Sequence, residues 1–503
     1  QLGRAELTKL SSVADAMARF RESGKPSFAY GQVLTQGQYF LAAQADEISI
    51  DPMGMVLIRG YGVFPRYYAE ALEKYGVNMN VFRVGEFKSA VEPFLRNDMS
   101  EEAKQANRDW LGSLWRAYLE GVAARRPFSA NEFQAAIEGA ADKLEALNGD
   151  AAQLALSTKL IDRVESPYEF RNRMAQQFGQ GEEAGTYKSV GYNGYLQSSR
   201  RSSLGLKADA EGLAEPSKIA RITAVGSIKD GEQPPGNIGG ATLAGLLREA
   251  QLDDDVAAVV LRVDSPGGSV SGSEQARRAL VALRDSGKPV VVSMGTYAAS
   301  GGYWISMNAN EIWAEPTTLT GSIGIFGVLP NFSPLLERNG VSVDGVGTTP
   351  WAEGIRVDKP LSSAVERSMQ SMIENGYNEF ISKVAMARGM TREKVDELAR
   401  GRVWIGSTAE TLGLVDSLGS LQDAENAARR LANLPESAPV KVIESGQSKA
   451  LRMIQQFTGE AASGKGTGFA SWFSTSSPLR GWLKVLEQQV GPLEQAVKSG
   501  DPR

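Results

Sequence analysis

The chain is written twice, and that duplication limits its folds more than any other feature. Lys25-Pro26-Ser27-Phe28-Ala29-Tyr30 is matched by Lys288-Pro289-Val290-Val291-Val292-Ser293, and Gln36-Gly37-Gln38-Tyr39 by Ser300-Gly301-Gly302-Tyr303. Further on, Ala45-Asp46-Glu47-Ile48 answers to Ala309-Asn310-Glu311-Ile312, Tyr61-Gly62-Val63-Phe64-Pro65 to Phe326-Gly327-Val328-Leu329-Pro330, and Leu160-Ile161-Asp162 to Leu414-Val415-Asp416. We therefore expect a first repeat at 1–180, a linker at 181–217 with its boundary near Lys207–Pro216, a second repeat at 218–435, and a tail at 436–503. The second repeat opens with a strand at Ile219–Val225, a helix at Ala241–Ala250 and a strand at Val256–Val263 that have no counterpart in the first. The first repeat thus reads as N-terminally truncated, a fragment whose natural start lies further upstream.

Strands alternating with helices predict crossover units. The fold class expected is α/β, two tandem repeats with largely parallel sheets and helical cover. Helices are legible at Ser273–Asp285, Ala364–Met386 and Thr391–Ala399, the last opened by Thr391 as N-cap with Glu393 in its first turn. Ser445–Gly468 is rich in Gly, Ser and Ala, and Leu479–Val497 is amphipathic, so the tail is either a docking arm or disordered in part. At 503 residues the chain is too long for one core. Net charge −5 gives no basic footprint for nucleic acid, and no uninterrupted apolar run is long enough to span a bilayer.

The chain contains no His and no Cys. A Ser-His-Asp triad, thiol catalysis, disulfides and His- or Cys-ligated metal sites are excluded. A hydrolase here must activate its nucleophile with Lys, a carboxylate or a carboxylate-bound metal. The apolar run Pro289–Met294 leads into Gly295-Thr296-Tyr297-Ala298-Ala299-Ser300-Gly301-Gly302-Tyr303-Trp304. Ser300 therefore falls where a strand becomes a helix, flanked by small residues, with Tyr303, Trp304, Ile305 and Met307 suited to a buried helix. One Ala-Ala-Ser-Gly-Gly could be a helix cap. Asp264-Ser265-Pro266-Gly267-Gly268, which alone would be a tight turn, also follows a strand. Together they suit an oxyanion hole built from the amides of Gly267, Gly268 and Gly301, where donors need backbone free of side chains. The base must be a lysine whose charge burial disfavours. Lys88, read as ending a strand within Val81–Phe94 and apolar on both sides, is that candidate. It aligns with Ala352, and Ser300 with Gln36, so each repeat retains one candidate and lacks the other.

These motifs, with Gly85-Glu86-Phe87-Lys88-Ser89-Ala90 and Thr320-Gly321-Ser322-Ile323-Gly324-Ile325, resemble the signal peptide peptidase A family of the long, internally duplicated type. The resemblance covers the chain up to about residue 435. It implies a Clp protease/crotonase-like fold, Ser300 as nucleophile, Lys88 as general base, and Ser322 as the hydroxyl that orients the lysine amine. On its residues alone Ser322 is equally a turn serine between glycines. The family implies a bacterial inner-membrane protein facing the periplasm, held by an N-terminal anchor absent from this sequence. Its substrates would be released signal peptides, preferred with small or apolar side chains near the cut. No cofactor is implied. Gly459–Gly466 resembles a phosphate-binding loop but has Gly466 where Ser or Thr should hold magnesium, so no ATP dependence is expected. Because the two candidates lie in different repeats, a site exists only where the repeats meet, and head-to-tail contact predicts a ring, by resemblance a homotetramer. The rival readings are a crotonase-type acyl-CoA enzyme and a non-catalytic scaffold.

Overall fold

The computed structural model describes residues 6–181, 186–192, 194–196, 217–344 and 355–445. In the first unit β1 (Phe28–Thr35), β2 (Glu47–Leu57) and β4 (Arg163–Val164) form a parallel sheet, while β3 (Asn78–Arg83) leaves it. The second unit runs through β5 (Lys218–Val225), β6 (Ser227–Lys229), β7 (Asn237–Gly239), β8 (Val256–Ser265), β9 (Val290–Ala299) and β10 (Glu311–Ala314). It continues with β11 (Leu319–Gly321), β12 (Phe326–Asn331), β13 (Val403–Ile405), β14 (Ser417–Leu418) and β15 (Val440–Ile443). Its main sheet has the order β13-β11-β9-β8-β5-β15, with β10 against β9 and β14 against β10, parallel throughout except at β11–β13. A parallel sheet is covered on both faces, so its strands need not alternate polar with apolar residues. In β8 and β9, accordingly, the consecutive residues Val259, Val260 and Leu261, and Val290, Val291 and Val292, are all fully buried.

The repeats share hydrogen bonds as well as order. Ile48 N–H donates to Asp162 Oδ2 at 2.8 Å and Ile312 N–H to Asp416 Oδ2 at 2.7 Å. Tyr39 Oη donates to the Leu160 carbonyl at 2.8 Å and Tyr303 Oη to the Leu414 carbonyl at 2.9 Å. Each aspartate also pairs with an arginine, Asp162 with Arg126 and Asp416 with Arg388. These bonds tie the helix after β1, or after β9, and the strand that follows it to one later segment, 160–162 or 414–416. The ring pairs Phe40–Tyr118 and Trp304–Phe380 occupy matching core positions.

The units are joined chiefly by two contacts. β3 of the first pairs antiparallel with β12 of the second, from Asn78↔Asn331 to Arg83↔Phe326. The helix Leu7–Arg21 docks on the second unit, with Thr8 Oγ1 at 2.9 Å from Thr317 Oγ1, Ser12 donating to Glu315 at 3.0 Å, and Lys9 paired with Asp264 at 3.0 Å.

Most expected elements are present, with three differences. The helix after Ser300 is a single turn, Gly301–Trp304, after which Ile305 and Met307 are buried in turns. Lys88 does not end a strand: β3 stops at Arg83, and Lys88 precedes the 3-10 helix Ser89–Phe94. Residues beyond 435 are not all tail, because β15 adds an edge strand parallel to β5. The boundary stretch Lys207–Pro216, Ala352, the loop Gly459–Gly466 and the segment Leu479–Val497 lie outside the described residues. Among the described residues no helix is long and apolar enough to cross a membrane, and no group of three or more acidic side chains could hold a metal ion.

Candidate active site

β8 and β9 fall out of register between Val263↔Met294 and Ser265↔Ala298. Asp264 fills the resulting bulge: its Oδ1 accepts the Tyr297 N–H at 3.1 Å, and a side chain on Gly295 would strike its Cγ at 2.9 Å. The bulge sets the glycine turn after β8 beside the end of β9. Ser300 follows β9 directly with φ 54° and ψ −117°, a backbone that only a surrounding structure can hold in a non-glycine residue. Its N–H donates to the Gly321 carbonyl at 2.8 Å and its carbonyl accepts the Trp304 N–H at 2.9 Å, so both sides of the strained residue are fixed.

Lys88 reaches Ser300 from the first unit. The loop after β3 is tied to the second unit by Val84 N–H to the Ile325 carbonyl at 3.4 Å and Phe87 N–H to the Arg400 carbonyl at 3.1 Å. Gly85 at φ 100° and Gly401 at φ 81° allow the approach: a Cβ on Gly85 would overlap the Arg400 carbonyl, and one on Gly401 would lie 2.8 Å from Lys88 Cβ. Lys88 is 5% exposed. Its Nζ lies 3.3 Å from Ser300 Oγ, 3.0 Å from Ser322 Oγ and 3.0 Å from the Ser322 carbonyl. Burial away from water, with no carboxylate to compensate, pushes its pKa down to about 7. Ser322, itself at φ 51°, is held by its N–H to the Arg402 carbonyl at 2.7 Å. The arrangement thus brings together a hydroxyl and an amine that loses its proton near neutral pH, with a second hydroxyl and a carbonyl to orient the amine.

The three expected glycines are also beside Ser300, but their amides differ. The Gly267 N–H donates to Ser265 Oγ at 3.2 Å, while the Gly267 carbonyl accepts the Ile228 N–H at 2.9 Å. The turn's open donor is therefore Gly268, whose nitrogen would stand 3.2 Å from a Cβ on Gly301. Gly267 also lies close to Gly301, since a Cβ on it would meet the Gly301 nitrogen at 2.8 Å.

A cavity of about 410 Å³ lies over these groups. Its walls come from both units: Ile325, Phe326 and Phe380 from the second, and Ala103, Asn107 and Trp110 from helix Glu101–Ala123 of the first. The sequence reading missed this helix as a cleft wall, although the spacing of those three residues on one helical face was available as a signal. A more open groove of about 590 Å³ near Glu70–Asn97 contains none of the candidate residues. In the first unit the place of Ser300 is filled by Gln36, whose Oε1 accepts the N–H groups of Arg59 at 3.1 Å and Gly60 at 2.9 Å.

A serine hydroxyl beside a buried amine in an α/β fold is an arrangement a hydrolase can use, and the chain belongs to Peptidase family S49, whose sequence profile matches residues 19–181 and again 282–435. It is a serine peptidase. It is 46% identical over 432 residues to Protease 4 of Salmonella typhi, an alignment that takes in 86% of this chain and 68% of that protein. It is 38% identical to Protease 4 of Haemophilus influenzae, over 96% of this chain and 77% of that one. With the chloroplastic serine protease SPPA of Arabidopsis thaliana the identity is 28%, over 87% and 63%.

Proposed function

We propose that this protease cleaves released signal peptides and other short or unfolded apolar peptides through a Ser300–Lys88 dyad. The observation that carries the reading is the 3.3 Å approach of a buried lysine amine to Ser300 Oγ. Neutral Lys88 takes the hydroxyl proton as Oγ attacks the scissile carbonyl carbon. The carbonyl oxygen gains the negative charge, and the amides of Gly268 and Gly301 are the donors placed to hold it. Lys88 then returns the proton to the leaving amine, the C–N bond breaks, and an acyl-enzyme remains. Water attacks the ester with Lys88 again as base, which releases the second product and restores Ser300. Ser322 keeps the amine aimed through its hydroxyl and carbonyl. The apolar cavity walls favour small or apolar side chains near the cut. A crotonase-type acyl-CoA enzyme and a scaffold both give way to membership in a peptidase family.

The ring assembly belongs to the same proposal. Where the second unit receives helix Leu7–Arg21, the matching place on the first unit exposes Met53 at 90%, with Phe64 nearby in sequence at 94%. A neighbouring chain's second unit would cover that place, and repetition of the contact closes a ring, which we take to have four chains. We place the assembly at the bacterial inner membrane, facing the periplasm.

The test is hydrolysis of a signal-peptide sequence by the wild type, Ser300→Ala and Lys88→Ala. Both variants are expected to be folded and inactive. Turnover in either at a substantial fraction of the wild-type rate removes that residue from the mechanism.

A further inference from the structure

Arg402 contacts both halves of the site without lining it. Its guanidinium carbon lies 5.2 Å from the centroid of Phe87 and 4.2 Å from that of Trp404, so the cation sits between two rings. Its Nη2 pairs with Asp109 Oδ2 at 2.8 Å, with the arginine side chain 27% and the aspartate 44% exposed. Its own carbonyl accepts the Ser322 N–H at 2.7 Å. Phe87 is the residue before Lys88, and Asp109 is the residue before Trp110, which lines the cavity. One residue therefore connects the base, the group that orients it, and the cleft wall, across the boundary between the units.

We propose that Arg402 is a positioning residue: its guanidinium clamps Phe87 and Asp109 of the first unit beside the end of β11, where Ser322 follows, and so sets where Lys88 and the cleft-lining helix stand. The chemistry favours arginine over lysine here, because a planar, delocalised cation can stack on two rings and still present a fork to a carboxylate. Of the other charged groups near Lys88, Arg400 pairs with Glu86 at 3.3 Å and with Asp396 at 3.0 Å, and Lys229 lines the same cavity. The low basicity of Lys88 comes from burial alone. Loosening the clamp admits water to the amine and raises its pKa, which gives a signature that simple destabilisation lacks.

This inference rests on the Ser300–Lys88 reading, and the experiment separates the two. Arg402→Lys, Phe87→Leu, Asp109→Ala and Lys88→Ala are compared with the wild type by kcat, KM and the pH dependence of kcat/KM, each normalised to folded protein. Misplacing a catalytic group by about 1 Å costs on the order of 10²-fold. Arg402→Lys and Phe87→Leu are expected to lose kcat on that scale, with the acidic limb of the profile moved to higher pH. Asp109→Ala is expected mainly to raise KM. If Arg402→Lys fails to fold, Phe87→Leu and Asp109→Ala decide alone. Wild-type kcat with an unmoved acidic limb in folded Phe87→Leu overturns the proposal, and so does a loss that only follows the folded fraction. Turnover in Lys88→Ala overturns the dyad reading itself, and the clamp's role with it.

Discussion

At the scale of single residues, Lys88 has a cost that can be measured apart from catalysis. Its pKa falls from the ordinary 10.5 to about 7 on folding. Below pH 7 the folded protein must keep a buried ammonium, whereas the unfolded chain holds the same charge in water. Between pH 7 and 10.5 the unfolded state binds more protons, so this group's contribution makes stability rise with pH across that window and level off above it. Lys88→Met is therefore expected to raise stability by on the order of a few kcal/mol at mildly acidic pH, with the gain shrinking toward pH 10.5. Thermal unfolding at pH 6 and pH 9 checks this, and an equal gain at both would contradict it. In the proposed mechanism the same titration sets activity, so kcat/KM is expected to rise from acid to alkali with a midpoint near 7, as neutral amine accumulates. Gly268 offers a second residue-level test. A Cβ there would overlap the Ile228 carbonyl oxygen, so Gly268→Ala must shift the turn and its amide. Loss of one such donor costs about 10²–10³ in rate, which kcat for a short peptide would show.

At the scale of elements, the site depends on how the loop after β3 is delivered. The β3–β12 ladder brings the chain to Arg83, and the loop beyond it carries Lys88 to the site. Gly85→Val is expected to abolish turnover while both parallel sheets persist, because its side chain would strike the Arg400 carbonyl. Circular dichroism beside a peptide assay separates these outcomes. The parallel strands are legible in the sequence because β8 and β9 are apolar on both faces, and the Ser300 turn is legible because Ala and Gly crowd it. Pairing between β3 and β12 is not legible, since short strands of mixed polarity carry no mark of a distant partner. For the same reason the sequence places Lys88 at a strand end: apolar neighbours signal burial equally in a strand and in a loop packed between other elements. For helix Glu101–Ala123 the spacing of Ala103, Asn107 and Trp110 marks one common face, but the periodicity of an amphipathic helix does not say that this face meets the cleft. Gly267 shows a further limit, for composition marks a glycine turn but not which of its amides remains open.

At the scale of the whole molecule, Lys88 and Ser300 meet within one chain. A mixture of Ser300→Ala and Lys88→Ala chains, with subunit exchange confirmed, is therefore expected to stay inactive; recovered hydrolysis would place the dyad between chains. Met53→Glu is expected to shift the sedimenting species toward monomer, since Met53 is 90% exposed at the place proposed for a neighbour. The division of the site between repeats also has a consequence in time. A ribosome releases the lysine long before the serine, and the Arg400–Arg402 segment that encloses the lysine comes later still. With the dyad proposed above, a nascent chain holds no complete site until almost the whole of the second repeat has emerged and docked on the first. On that reading the duplication acts as a timer, because the two halves of the site come together only when folding is nearly complete.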